Sequence, residues 1–164
     1  MNTSQNISLW SNIFKRAAPW GKRVALLWSE TPLFNNIPKR EIALLSRNMH
    51  SRHYNVGEYI FHTGDEGAGA AIILNGKIEI KAGDVVLATL KEGDFFGEIS
   101  LVLDERRTAD AIAVEDTELV FFLRPELERW IKRAPQQGAK LGTNLAHILA
   151  KRLSHANEML AEKD

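Results

Sequence analysis

The stretch AAIILNGKIEI, residues 70–80, decides the fold class of this chain. Apolar residues rich in isoleucine stand on both sides of Asn75-Gly76. This dipeptide is the strongest short-range signal for a two-residue hairpin, because both central positions of such a turn need residues that tolerate positive φ. The stretch therefore predicts two antiparallel strands joined by a tight turn.

Similar short segments fill the chain from about residue 51 to residue 123. Glycine-containing turn signals separate them, at Gly57, Gly64-Asp65, Gly83-Asp84 and Gly93-Asp94. The predicted strands are residues 54–56, 58–62, 70–74, 77–81, 85–90, 109–114 and 119–123. Many short strands at this spacing predict an antiparallel barrel or sandwich.

Helical periodicity bounds this β zone on both sides. Apolar residues recur at helical spacing over residues 7–17 and cluster again over 24–28, and Pro38 can begin a short amphipathic helix. After Pro125 a short helix is predicted up to about Pro135, followed by a long amphipathic helix over 141–160. The expected organisation is an N-terminal helical extension at 1–30, a β-barrel at 31–135 and a C-terminal helix at 136–164.

Composition excludes several functional classes. The 164 residues include 21 Lys and Arg, 21 Asp and Glu and no cysteine. Zero net charge provides no overall field that attracts nucleic acid or an acidic membrane, so any polyanion binding must be local. Without cysteine there is no disulfide and no thiolate site. No apolar run approaches the roughly 18 residues of a membrane helix, and we therefore expect a cytoplasmic protein without an integral membrane segment.

One segment interrupts the strands between Phe96 and Arg107. It indicates a turn followed by a very short helix, in which Gly97 lets the backbone approach a ligand and the amides of Ile99, Ser100 and Leu101 open a helix N-terminus. Glu98 is an acceptor suited to sugar hydroxyls, whereas Arg107 offers a planar fork for phosphate oxygens and Thr108 adds a hydroxyl. The segment predicts a site for a compact phosphate joined to ribose, without a metal.

The sequence FGEISL at residues 96–101, followed by RRTA at 106–109, resembles the phosphate-binding cassette of cyclic nucleotide-binding domains. These domains occur in catabolite activator proteins, protein kinase A regulatory subunits and cyclic-nucleotide-gated channels. The resemblance extends over about residues 31–160 and implies a jelly-roll-like double-stranded β-helix, mainly β with flanking helices.

The resemblance also implies roles for individual residues. Glu98 binds the ribose 2′-hydroxyl, and Arg107 binds the cyclic phosphate. Thr108 stands where some members contact a guanine, whereas Asp110 stands where a neutral residue is more usual. Backbone contacts are implied for Gly97, Ile99 and Ser100. A helix that covers the base is also implied, with Ile148 and Arg152 as its candidate residues.

These residues lead to the hypothesis of a non-enzymatic receptor for a cyclic nucleotide. We expect cAMP rather than cGMP, because cAMP is the commoner ligand in the family, and no further cofactor. Binding is expected to be relayed through the terminal helices to an unidentified effector protein, with a possible homodimer along the last helix. Because the sequence ends at Asp164 without a DNA-reading domain, direct nucleic-acid binding is not expected.

Other interpretations remain open. A scaffold that has kept the barrel and lost the ligand would act through protein contacts. A cupin-type enzyme would need a metal, for which His50, His53 and His62 are the nearest candidates but lack a carboxylate at ligand spacing. The N-terminal segment, in which Trp10, Phe14, Trp20 and Trp28 alternate with Lys15, Arg16, Lys22 and Arg23, either lies on a membrane interface or packs on the barrel or a second subunit.

Overall fold

The computed structural model of the protein describes residues 19–161, so the helix predicted over residues 7–17 lies outside the described residues. Four longer helices and one single-turn helix accompany eight strands. The helices are α1 (Pro19–Ser29), α2 (Lys39–Ser46), α3 (Ile99–Val102), α4 (Arg124–Arg133) and α5 (Pro135–Ala161), with a 3₁₀ turn at Pro32–Phe34. The strands are β1 (His50–Tyr54), β2 (Tyr59–Phe61), β3 (Gly69–Asn75), β4 (Lys77–Ala82), β5 (Val85–Lys91), β6 (Phe95–Phe96), β7 (Asp110–Ala113) and β8 (Thr117–Leu123).

The strands form two four-stranded sheets in which every pair is antiparallel. The first has the order β1-β8-β3-β6 and the second β2-β7-β4-β5, so the chain passes repeatedly from one sheet to the other. This topology confirms the predicted jelly-roll-like β fold with N-terminal helices and a long C-terminal helix. The sheets are not closed into a single barrel, so that detail of the prediction is wrong.

The hairpin predicted at Asn75-Gly76 is a corner between the two sheets. β3 pairs with β6 on one side and β8 on the other, which leaves no free edge for β4. Gly76 does adopt positive φ (92°), and a Cβ there would lie 2.4 Å from Thr117 Oγ1. The Lys77 amide donates to Thr117 Oγ1, which fixes the corner against the start of β8. The two-residue hairpin instead joins β4 to β5 through Gly83-Asp84.

The first strand also differs from its prediction. Residues 54–56 were expected to be extended, whereas β1 covers His50–Tyr54 and four of its five side chains are exposed. Its polar residues give no alternation because β1 is an edge strand held by its backbone ladder with β8. The two-residue strand β6 gave no sequence signal at all. The remaining predicted strands agree with the structure within about two residues at either end.

Two apolar cores hold the layers together. One lies between the helices and the first sheet and is centred on Trp28, Phe34 and Phe122; the other lies between the two sheets. β3 contributes to both, and its residues from Gly69 to Leu74 are all buried.

No helix within residues 19–161 is both long and apolar enough to cross a bilayer. The predicted boundaries between the N-terminal extension, the β domain and the C-terminal helix, at residues 30 and 135, stay predictions.

Candidate functional site

A cavity of about 610 Å³ opens between α3, the second sheet and α5. It collects residues that are far apart in the sequence. Its lining includes every residue predicted for the cassette, namely Gly97, Glu98, Ile99, Ser100, Arg107 and Thr108, together with Arg152 from α5. The structure thus brings together seven of the eight candidate residues.

Ile148 is the candidate that does not line this cavity. It lies instead on an adjoining cavity of about 360 Å³ that is bounded by the 3₁₀ turn, Phe95 and α5 and shares Leu90 and Arg152 with the main cavity. The α5 residues on the main cavity are Arg152 and Ala156, which are one and two turns further along the same helix face. α5 thus reaches the cavity a turn later than Ile148, and its role in covering a base stays a prediction.

Arg107 forms the floor of the cavity. Its Nη1 donates to Ser100 Oγ at 3.0 Å and its Nη2 donates to the Gly69 carbonyl at 2.9 Å, while its guanidinium lies 4.2 Å from the centre of the Phe61 ring. Its Nε is buried and has no hydrogen-bond partner among the described residues. No carboxylate of residues 19–161 lies within ion-pair distance of this guanidinium.

Burial lowers the pKa of Arg107 from its usual value, although the fields of Asp65 and Glu98 partly oppose this shift. Arginine remains charged in proteins despite such shifts. The structure therefore holds a half-buried cation whose neighbours are neutral oxygens and an aromatic face. Burying a charge is unfavourable unless it is paired, so this position suits an anion.

Gly97 permits this placement of Arg107. Its φ is 75°, in the left-handed region that favours glycine, and a Cβ on it would lie 2.7 Å from Arg107 Nη1. The loop between β2 and β3 fixes the other side, because the Arg107 amide donates to the Asp65 carbonyl and the Gly64 amide donates to the Arg107 carbonyl, both at 2.8 Å. The backbone on either side thus determines where the guanidinium lies.

Glu98 links the cavity to the last helix. Only 4% of its surface is exposed, and its carboxylate accepts a hydrogen bond from Arg152 Nη1 in an ion pair. Arg152 Nη2 also donates to the Phe95 carbonyl at 3.3 Å. The Arg152 side chain of α5 therefore holds both Glu98, the proposed acceptor for a sugar hydroxyl, and the start of β6. The sequence identified both residues and gave no sign of their pairing.

The free amides expected at the start of α3 are only partly present. The Ser100 amide donates to the Gly97 carbonyl at 3.2 Å and the Leu101 amide to the Glu98 carbonyl at 3.0 Å. Very short helices close their first turn with such i→i−3 bonds. The prediction of unpaired amides at Ser100 and Leu101 is therefore wrong, and the cation of Arg107 is the principal attraction for an anion.

Asp110 does not oppose an anion in the cavity. Its Oδ1 accepts a hydrogen bond from the Thr63 amide at 2.6 Å, which lowers the pKa of this carboxyl, and it is not among the cavity residues. The side chain holds the loop after β2. The apparent departure from the family pattern is thus a structural contact elsewhere in the fold.

Much of the cavity wall is apolar and was not predicted. The additional apolar residues are Phe61, Ile80, Leu87, Ala88, Leu90, Phe96, Ala109 and Ala156. They come from separate strands and from α5, and only the strand register shows that they meet. The pairing of Ile80 with Ala88, for example, places β4 beside β5 at the cavity. Within residues 19–161, no three His, Cys, Asp or Glu side chains are grouped closely enough to hold a metal ion.

Comparisons with known proteins identify the family of this fold. The family model described as "Cyclic nucleotide-binding domain" matches residues 51–134. The chain is 35% identical over 132 residues to the "Cyclic AMP receptor protein" of Thermus thermophilus, covering 77% of this chain and 59% of that protein. It is also similar to the crystal structure of the Thermus thermophilus catabolite activator protein, with a TM-score of 0.71, 34% identity and coverage of 80% of this chain and 62% of that one.

Another relative carries an enzyme name. "Glutaminase 1" of Bradyrhizobium diazoefficiens is 34% identical over 132 residues, which are 79% of this chain but 21% of that protein. The chain thus spans about three fifths of the receptor protein and about one fifth of the glutaminase. The family model covers half of the chain, including nearly all of the two sheets and every cavity residue except Arg152 and Ala156. The chain therefore belongs to the cyclic nucleotide-binding domain family.

Proposed function

We propose that this domain is a receptor for a cyclic nucleotide, with cAMP as the preferred ligand. The observation that carries the proposal is the half-buried cation of Arg107, which lines a cavity and has no carboxylate within ion-pair distance among the described residues. A cyclic phosphate has one negative charge and two exposed oxygens, which match a single guanidinium. The ligand would supply the counter-ion that this part of the protein lacks.

The rest of the cavity suits the remainder of the nucleotide. Glu98 would accept from the ribose 2′-hydroxyl. Gly97, Ile99 and Ser100 would give backbone contacts around the phosphate, for which the Ser100 amide has to leave its bond to the Gly97 carbonyl. Thr108 at the rim is exposed and would offer its hydroxyl to the base or the phosphate. The apolar wall described above would receive the purine, for which flat apolar surfaces are suitable. These roles follow from the family resemblance and are supported by the shared cavity.

Calorimetric titration with cAMP and with cGMP tests this function directly. We expect saturable binding of one ligand per chain, tighter for cAMP. A ligand at 100 times its dissociation constant adds about 2.7 kcal/mol to the free energy of unfolding, so the melting temperature should rise by several degrees. Absence of both heat and a melting shift with either nucleotide would contradict the proposal.

The ion pair of Glu98 with Arg152 favours a second candidate function. Because Arg152 already satisfies the carboxylate, the domain is complete in that region without a ligand. A ligand-free scaffold acting through its helices would keep such a pair. The titration separates the two functions, since a scaffold would not bind either nucleotide.

We further propose that the domain is non-enzymatic and that binding is relayed through α5 to a partner. A ribose hydroxyl that donates to Glu98 would share the carboxylate whose Oε1 Arg152 already holds, so ligand binding is expected to alter the link between α3 and α5. A ligand shifts such an equilibrium only through its different affinity for the two states. The coupling is therefore expected to lie in this ion pair. The cytoplasmic location expected from the sequence stays a prediction.

Amide hydrogen exchange measures this relay. We expect cyclic nucleotide to change exchange in residues 97–102 and in residues 136–160 of the wild-type protein. In Arg152→Gln the change should remain in 97–102 and disappear from α5, because the connecting side chain is shortened and uncharged. Lys151→Gln is the matched control, since Lys151 is exposed on the same helix and has no contact with Glu98. An unchanged α5 in the wild type would exclude the relay.

We propose that α5 also forms a homodimer. Its outer face carries Leu153 and Leu160, which are seven residues apart and 63% and 65% exposed. Leu149, which packs on the core of the same chain, and Ala156, which lines the cavity, continue the 3-4 spacing of apolar or small residues, so the seam would use the exposed leucines of this stripe. The Leu153→Glu variant should sediment as a monomer, whereas Ala150→Glu, on the same helix but outside that spacing, should not. Monomeric wild-type protein at micromolar concentration would contradict the dimer.

A further inference from the structure

Three successive carbonyls at the start of β3 are bonded to two arginines. The Gly69 carbonyl accepts a hydrogen bond from Arg107 Nη2 at 2.9 Å. The Gly67 carbonyl accepts one from Arg124 Nη2 at 2.8 Å, and the Ala68 carbonyl accepts one from the Arg124 amide at 2.9 Å. Arg107 at the cavity and Arg124 outside it therefore hold the same short stretch of backbone.

This stretch of backbone is closely packed on both sides. A Cβ on Gly67 would lie 2.1 Å from Ser100 Oγ, and a Cβ on Gly69 would lie 2.2 Å from the Phe122 carbonyl oxygen. Both glycines are buried. Close packing of this kind transmits a displacement instead of absorbing it. A shift of Gly67 therefore reaches Ser100, whose Oγ accepts the hydrogen bond from Arg107 Nη1.

Arg124 has a second contact, on the segment that joins α3 to Arg107. Its Nη2 also donates to Asp104 Oδ1 at 2.9 Å. The Asp104 side chain is 91% exposed, and an ion pair with so exposed a carboxylate contributes little. The bond to the Gly67 carbonyl is different, because Gly67 is buried and the donor is a largely buried charged group. Hydrogen bonds from charged donors are stronger than neutral ones, so the bond to Gly67 is the main contact of the Arg124 side chain.

We propose that Arg124 is a positioning residue for the anion site. It is the first residue of α4 and is not among the residues that line the two cavities, so a ligand in the main cavity would not touch it. By holding the carbonyls of Gly67 and Ala68, it fixes the backbone against which Arg107 and Ser100 are placed. Arg124 thereby controls the affinity for a cyclic phosphate. The effect on affinity rests on the proposed receptor function, whereas the positioning of Arg107 concerns the unliganded protein.

Calorimetric titration of Arg124→Gln with cAMP tests the effect on affinity. Removing a residue that orients a metal ligand lowers affinity by roughly 10–100-fold, and we expect about a ten-fold loss here. Arg124→Lys should bind almost as well as the wild type, because its ammonium can donate to the Gly67 carbonyl. The matched control is Arg129→Gln, which removes one charge from the same helix and has only a 3.9 Å pair with Glu126 as its ion pair. An equal loss in this control would show an effect of charge and overturn the proposal.

A double-mutant cycle with Arg107→Lys distinguishes positioning from a general contribution to folding. If Arg124 acts through Arg107, its replacement must matter less once the planar guanidinium is gone. We expect Arg124→Gln to lower cAMP affinity by less than about three-fold in the Arg107→Lys background, against about ten-fold in the wild type. Equal losses in both backgrounds would overturn the positioning role. All titrations are made well below the lowest melting temperature of the variants, so that a loss of stability is not counted as a loss of affinity.

A measurement without ligand separates this proposal from the receptor function. Arg107 Nε is buried, so its proton should exchange slowly with solvent and give an NMR signal. We expect this exchange to be several-fold faster in Arg124→Gln and unchanged in Arg129→Gln. Unchanged exchange in Arg124→Gln would overturn the positioning role even if the affinity fell. If the wild type bound no cyclic nucleotide while Arg124→Gln accelerated the exchange, the receptor function would be refuted and the positioning of Arg107 by Arg124 would stand.

Discussion

Replacing Arg107 with alanine is expected to remove cyclic nucleotide binding almost completely. Its guanidinium is half-buried and faces the cavity without a carboxylate partner among the described residues, so the bound phosphate would be its counter-ion. Truncating one member of a desolvated, hydrogen-bonded charge pair costs roughly 2–5 kcal/mol, or about 30-fold to several thousand-fold in affinity. Calorimetric titration of the variant with cAMP measures the loss.

Arg107→Lys is the informative control for this result. Lysine keeps the charge but has no planar fork, so one ammonium cannot reproduce the separate bonds of Nη1 to Ser100 Oγ and of Nη2 to the Gly69 carbonyl. We expect intermediate affinity. Unliganded Arg107→Ala should melt near the wild type, because removing a half-buried charge without a carboxylate partner relieves a desolvation cost as it removes two bonds. Micromolar cAMP affinity in folded Arg107→Ala would refute the assigned role.

Trp28→Ala is expected to give the largest loss of stability. The Trp28 side chain is fully buried between α1 and the first sheet, where it stacks on Phe34 with ring centres 4.4 Å apart and meets Phe122 edge-on at 5.5 Å. Truncating a buried tryptophan costs about 3–5 kcal/mol. For a domain of this size that corresponds to a fall in melting temperature of roughly 6–20 °C. Denaturant unfolding and thermal melts measure both quantities.

Trp28→Phe keeps an aromatic ring at this position and removes the polar Nε1 atom, so it distinguishes the contributions of the two. Trp28 Nε1 is buried and has no hydrogen-bond partner among residues 19–161, so its removal should not cost a hydrogen bond. We expect a smaller loss than for alanine, because most of the stacking with Phe34 would remain. If Trp28→Phe lost as much stability as Trp28→Ala, the full size of the indole ring would be what holds α1 against the first sheet. No measurable loss in Trp28→Ala would contradict the placement of α1 against the sheet.

Trp28 also contacts Phe95, a residue that is hydrogen-bonded to Arg152 at the functional site. It meets Phe95 edge-on with ring centres 6.5 Å apart, and the Phe95 carbonyl accepts a hydrogen bond from Arg152. A void beside Phe95 would loosen one of the two contacts through which Arg152 holds α5 near the cavity. We therefore expect the helix core and the proposed relay to be coupled through this residue.

The secondary structure of most elements could be predicted from the sequence because it depends on local periodicity, with the edge strand β1 and the two-residue strand β6 as exceptions. The alternation over residues 77–90, the short helix after Gly97 and the long amphipathic helix all follow from which side chains must avoid water. The cassette residues were found for the same reason, since Gly97, Glu98 and Arg107 lie within a single short segment. Positive φ at Gly76 and Gly97 was likewise determined locally, by the lack of a Cβ.

Relations between distant segments were decided only by the tertiary structure. Asn75-Gly76 turns between sheets because β8 and β6 already occupy both edges of β3, and a local signal contains no information about which edges are filled. In the same way, Arg152 reaches Glu98 across 54 positions of sequence, and Asp110 turns away from the cavity to the Thr63 amide. Local sequence specifies the chemical groups of this domain, whereas the packing of its layers determines which of those groups meet, because such contacts depend on the positions of whole elements.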